Sequence, residues 1–78
     1  MDTTPRVELN MNLLPPRAKH ATIFRVLDAL APGESMRLFV DHDPAPLRRQ
    51  LAAERPNGFV WSYETEGPEL WQVMLGRK

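Results

Sequence analysis

Along this chain the spacing of apolar residues switches between every second position and every third or fourth, and proline or glycine stands at the switches. Val7, Leu9 and Met11 alternate with Glu8, Asn10 and Asn12, the pattern of a half-buried strand. Leu13-Leu14 then lead into Pro15-Pro16. Proline suits the first turn of a helix, so the first helix is expected to start near Pro16 and run to about Leu30, burying Ile23, Phe24, Leu27 and Leu30. Ala31-Pro32-Gly33 ends it, and Met36, Leu38 and Val40 alternate with Arg37, Phe39 and Asp41 in a second strand. Asp43 is placed to cap a second helix that opens at Pro44, turns Leu47 and Leu51 inward, and stops at Pro56-Asn57-Gly58. Phe59, Trp61 and Tyr63, the turn Thr65-Glu66-Gly67-Pro68, and Trp71, Val73 and Leu75 spell a closing hairpin. Right-handed crossovers then predict an α/β two-layer sandwich (α+β) of order βαβαββ, a four-stranded mixed sheet with two helices on one face. Residues 1–6 read as a polar tail and 7–78 as one domain.

The chain holds 78 residues and no cysteine, so no disulfide, thiolate zinc site or thiol nucleophile exists, and stability rests on packing or association. Ten basic residues balance ten acidic ones, which gives no electrostatic reason to expect nucleic acid or an anionic membrane as partner. No apolar run reaches membrane-spanning length, and Met1 to Arg6 lack the apolar stretch of a signal peptide, so a cytoplasmic protein is expected.

Leu13-Leu14-Pro15-Pro16-Arg17 with His20, Leu27 to Glu34, Asp41-His42-Asp43-Pro44, Glu54-Arg55-Pro56, the aromatic strand from Phe59, and Glu66-Gly67-Pro68 with Trp71 together cover nearly everything after the tail. This set resembles the uncharacterised family numbered 2249 among the domains of unknown function, which is similar to the TusA/SirA-like sulfur carriers. The resemblance implies that fold and a setting in redox or nitrogen-oxide metabolism. In the sulfur carriers a Cys-Pro pair opens the first helix, where the dipole and unpaired N–H groups stabilise a thiolate. The matching stretch here is Pro15-Pro16-Arg17, so persulfide transfer is excluded, and the shared fold carries no function by itself. The family pattern Leu-Asp-x-Arg in the first strand also departs here, reading Leu9-Asn10-Met11-Asn12.

The expected topology brings the ends of the first two strands and the starts of both helices to one edge, the usual ligand edge of open α/β sheets. His20, Asp41 and His42 would meet there with Arg17 on the rim. Two imidazoles and a carboxylate suit a divalent metal such as zinc or iron, and Arg17 would contact a cofactor. Each residue also has a plainer reading: His20 as a hydrogen-bonded histidine at the core edge, Asp43 as a helix cap, Asp41 as a solvated or capping carboxylate. His42 alone is required by no helix-start rule. Ser35 and Ser62 lack a placeable His and acid, and no phosphate loop or metalloprotease motif occurs.

These residues describe a small non-enzymatic accessory or binding domain with a metal or metal-containing cofactor near His42. The alternative is a protein–protein adaptor in which the histidines serve structure. The expected partner is another protein, with a monomer or weak homodimer pairing through Phe39, Val60 and Met74 on the second sheet face.

Overall fold

The alternating segments fold as strands where the pattern places them. In the computed structural model, which describes residues 4–78, the order is β1 (Val7–Asn10), a 3-10 turn (Met11–Leu13), α1 (Lys19–Ala29), β2 (Ser35–Val40), α2 (Ala45–Glu54), β3 (Phe59–Glu66) and β4 (Trp71–Arg77). The strands lie in the order β1-β2-β4-β3, with β1 parallel to β2 and the other two pairs antiparallel. This is the expected four-stranded mixed sheet. Of the tail expected over residues 1–6, residues 1–3 lie outside the described residues, and Arg6 donates its N–H to Ser35 O at 2.7 Å.

Ile23 and Leu27 of α1 and Leu47 and Leu51 of α2 close over Met36, Leu38, Val73 and Leu75 of the two central strands. Leu38, Leu51 and Leu75 are fully buried, and each side chain contributes about 1.5–3 kcal/mol by leaving water.

The helix starts differ from expectation. Met11 does not extend β1 but turns inward on the 3-10 turn, where Asn10 Oδ1 accepts the Asn12 N–H at 3.0 Å. Asn10, one of the two residues that depart from the family pattern, thus serves as a local cap. Leu14 is held extended, as a residue before proline prefers, and Ala18 N–H closes a turn onto Pro15 O. The helix therefore begins at Lys19 rather than near Pro16. In α2, Asp43 Oδ1 accepts the Ala45 N–H at 3.0 Å, so its capping role stands while the helix opens one residue after Pro44.

Several of the residues that carried the family resemblance hold the helices to each other. Asp28 on α1 receives Nε and Nη2 of Arg55, from the end of α2, at 3.0 and 2.8 Å, and the Arg55 guanidinium lies 5.1 Å from the Phe24 ring centre. The Arg55 hydrogen bonds hold the Asp28 carboxyl below its usual range, against slight desolvation, with the charges of Arg55 and Arg77 acting in the same direction. A lowered folded-state pKa means stability that is complete above the unfolded value near 3.9 and is lost as pH falls through the folded value. Urea unfolding of wild type and Asp28→Asn below about pH 4 is expected to show a shallower acid loss in the variant. Parallel curves would contradict this assignment.

The second face of the sheet is mixed rather than an apolar strip. Arg37 reaches Glu64 at 2.8 Å and Glu8 at 3.5 Å, spanning the sheet from β1 to β3. Of the three residues expected to form a patch, Val60 is exposed while Phe39 and Met74 are half-buried.

Candidate functional site

The C-terminal ends of β1, β2 and β3 and the start of β4 share one end of the molecule with the N-termini of both helices. A cleft of about 60 Å³ opens there, lined by Met11 after β1, Val40 at the end of β2, Lys19 and His20 at the start of α1, and His42, Pro44, Pro46 and Leu47 leading into α2. Liquid water occupies about 30 Å³ per molecule, so the cleft has room for an ion and a water but not for an enclosed organic substrate.

Both imidazoles are oriented from within the chain. His42 Nδ1 donates to Asp41 Oδ1 at 2.7 Å, and because a carboxylate only accepts, Nδ1 carries the hydrogen. His20 Nδ1 meets Gln50 Oε1 of α2, so with the amide oxygen on that side the ring donates from Nδ1, and the contact ties the two helices together. In the neutral form of each ring Nε2 is then the nitrogen without a hydrogen. A histidine whose Nδ1–H is held by a carboxylate or amide oxygen, with Nε2 free, is the arrangement that metal-ligating histidines use.

The hydrogen bond from His42 holds the Asp41 carboxyl below its usual range, against desolvation, and the charges of His42 and Lys19 add to the effect. Asp41 thus stays ionised and acts on the site through His42. The pair is about two-thirds exposed, 64% for His42 and 65% for Asp41, so the hydrogen bond rather than packing sets the ring's direction. The first turn of α1 carries neither a side-chain cap nor an acidic residue, which leaves a positive helix end beside Lys19.

His42, His20 and Asp41 were expected to close on a metal together, but among the described residues no group of three or more His, Asp or Glu side chains is gathered to hold a metal ion. Asp41 is engaged with His42, and His20 and His42 both line the cleft. Arg17 precedes α1 on an exposed turn and is not among the residues that line the cleft, whereas Lys19 is. His20 is exposed rather than seated at the core edge.

Gln50 and Tyr63 escaped the sequence reading. Tyr63 Oη donates to Asp43 Oδ1 at 3.3 Å, so the capping carboxylate is held from β3 as well as by Ala45. Neither contact is local in sequence, and a lone Gln on a wet helix face carries no signal of its own.

The family model described as "Uncharacterized conserved protein (DUF2249)" matches residues 8–77. The chain belongs to this family. No curated protein and no solved structure gives a significant match. In this DUF2249 chain no helix among the described residues is long and apolar enough to cross a membrane. The resemblance residues divide in two. Asp28 and Arg55 tie α1 to the end of α2 and Glu34 Oε1 accepts the Ala31 N–H at 2.7 Å just after α1, whereas Nε2 of His20 and of His42 has no hydrogen bond among the described residues.

Proposed function

We propose that this DUF2249 domain is a non-enzymatic accessory module that binds a metal already carried by a cofactor or partner, through Nε2 of His42 and His20. The observation that supports it is two imidazoles with Nδ1 held inside the chain, lining one cleft. Structural zinc takes four protein ligands and catalytic zinc three, so two imidazoles complete a coordination sphere but do not build one. Lys19 and the uncapped start of α1 favour a complex of net negative charge. The small cleft keeps such a complex at its mouth. The redox or nitrogen-oxide setting rests on the family resemblance alone.

Nickel nitrilotriacetate, an anionic chelate with two open positions, is the probe. Calorimetry should give one-to-one binding, weakened about 10- to 100-fold by His42→Ala or His20→Ala and lost in the double variant. No binding, or binding unchanged by His42→Ala, would reject the reading.

The adaptor reading has its own support. Leu13 is 80% exposed beside this end of the sheet, and Leu70 is exposed in the β3–β4 turn. In an adaptor, Leu13→Glu would abolish partner capture that His42→Ala leaves intact.

A further inference from the structure

β3 stands at the end of the sheet and, among the described residues, pairs only with β4. Its two halves are treated differently. The half after Tyr63 carries a register shift and two glutamates, Glu64 and Glu66, devices that keep an edge strand from recruiting another. The half from Phe59 to Ser62 is regular and uncharged, with Val60 50% exposed.

The backbone of that regular half is available. Lys78 N–H donates to Gly58 O, and the ladder then pairs Phe59 with Arg77, Val60 with Gly76, Trp61 with Leu75 and Ser62 with Met74. Antiparallel pairs alternate between hydrogen-bonded and open, so Val60 and Ser62 bond to β4 while the N–H and C=O of Phe59 and Trp61 point to the free edge. Arg77 agrees with this phase, since its backbone bonds instead toward β2, to Gly33 and Glu34.

A cavity of about 380 Å³ lies beside these residues, between β3 and α2, with Phe59, Trp61, Ala52 and Pro56 in its wall and Arg48 and Lys78 among its lining residues. Neither cation has an ion-pair partner among the described residues. Trp61 also carries the one buried side-chain N–H without a partner among the described residues. An unmet buried donor costs about 1–3 kcal/mol.

We infer that the Phe59–Ser62 edge takes an extended segment of a partner protein as a fifth strand. One apolar side chain of the segment fills the cavity against Trp61 and Phe59, and an acidic residue two positions away, on the same strand face, pairs with Arg48 and Lys78. Main-chain bonds to Phe59 and Trp61 supply affinity, and the cavity and its cations supply selection. No residue of this surface lines the histidine cleft, so this inference and the proposed metal binding stand or fall separately.

The test pans a displayed library of random octapeptides on the full chain and measures the best binder as a synthetic peptide. Enrichment of Asp or Glu two positions from Leu, Ile, Val or Phe is expected, with amide shifts centred on Phe59 to Ser62. Charge reversal by Arg48→Glu with Lys78→Glu, both at the surface, should weaken binding by about tenfold or more. N-methylation of the peptide amides that face β3 should abolish binding, while methylation at the alternate amides should not. A lack of enriched peptides, binding indifferent to charge reversal and to N-methylation, or shifts that map elsewhere would overturn the inference. So would concentration-dependent dimerisation lost in the reversed variant, which would make a second copy of this chain the occupant.

Discussion

Gly67→Ala is expected to lower the melting temperature by roughly 10–20 °C, a loss of about 2–3 kcal/mol in a domain of this size. Gly67 lies in the β3–β4 turn at φ +44°, a left-handed conformation that disfavours any side chain. The indole of Trp71 covers it so closely that an added Cβ would fall 2.7 Å from Cζ2 and 2.8 Å from Cε2. The ring has little freedom to move, because its Nε1 donates to Pro68 O at 3.2 Å and Tyr63 packs edge-on at 6.1 Å. Trp71 pairs with Val40, the residue that leads into Asp41 and His42, so the damage would fall on the histidine end of the sheet. A shift under roughly 3 °C, which is less than 1 kcal/mol, would show that the turn absorbs the methyl and that Trp71 is not fixed.

Arg77→Met should cost about 2–3 kcal/mol, since hydrogen bonds to a charged group contribute about 1.5–3 kcal/mol. Arg77 Nη1, brought in by the last strand, donates to Asp28 O at 2.6 Å and Leu30 O at 2.8 Å. These carbonyls at the end of α1 have no further turn to bond, and a cation there also opposes the negative end of the helix dipole. Methionine keeps most of the aliphatic stem and removes the donor. Urea unfolding gives the magnitude, and hydrogen exchange gives the place: the last turn of α1 should lose protection before the centre of β2. Unchanged stability, or loss of protection spread evenly over the chain, would show that α1 ends without help from β4.

The sheet was legible because each strand alternates cleanly and each helix carries its apolar residues on one face. Ile23 with Leu27 and Leu47 with Leu51 needed no tertiary information to be assigned to the core. The start of α1 was not legible. Two prolines match a helix opening by residue type, but the conformation they impose on Leu14, together with the 3-10 turn at Met11–Leu13, spends the intervening residues before Lys19.

At the site, Asp41-His42 could be read because its members are adjacent, and Asp43 because capping is local. The Gln50 and Tyr63 contacts join residues 30 and 20 positions apart, a kind of pairing that no spacing rule reports. The same holds for Asp28 and Arg55, which the sequence shows only as parts of two separate motifs. Residue type alone also made Asp41 a metal ligand. The structure shows its carboxylate hydrogen-bonded to His42 Nδ1.

The most direct measurement is the long-range proton–nitrogen spectrum of the imidazole rings during nickel-free titration with zinc nitrilotriacetate, a diamagnetic equivalent of the probe, at alkaline pH. Both His20 and His42 are expected to hold hydrogen on Nδ1 and an unprotonated Nε2, and both Nε2 resonances should shift together as one equivalent of chelate is added. Hydrogen on Nε2 in either ring, or Nε2 resonances that do not respond to the chelate, would contradict it.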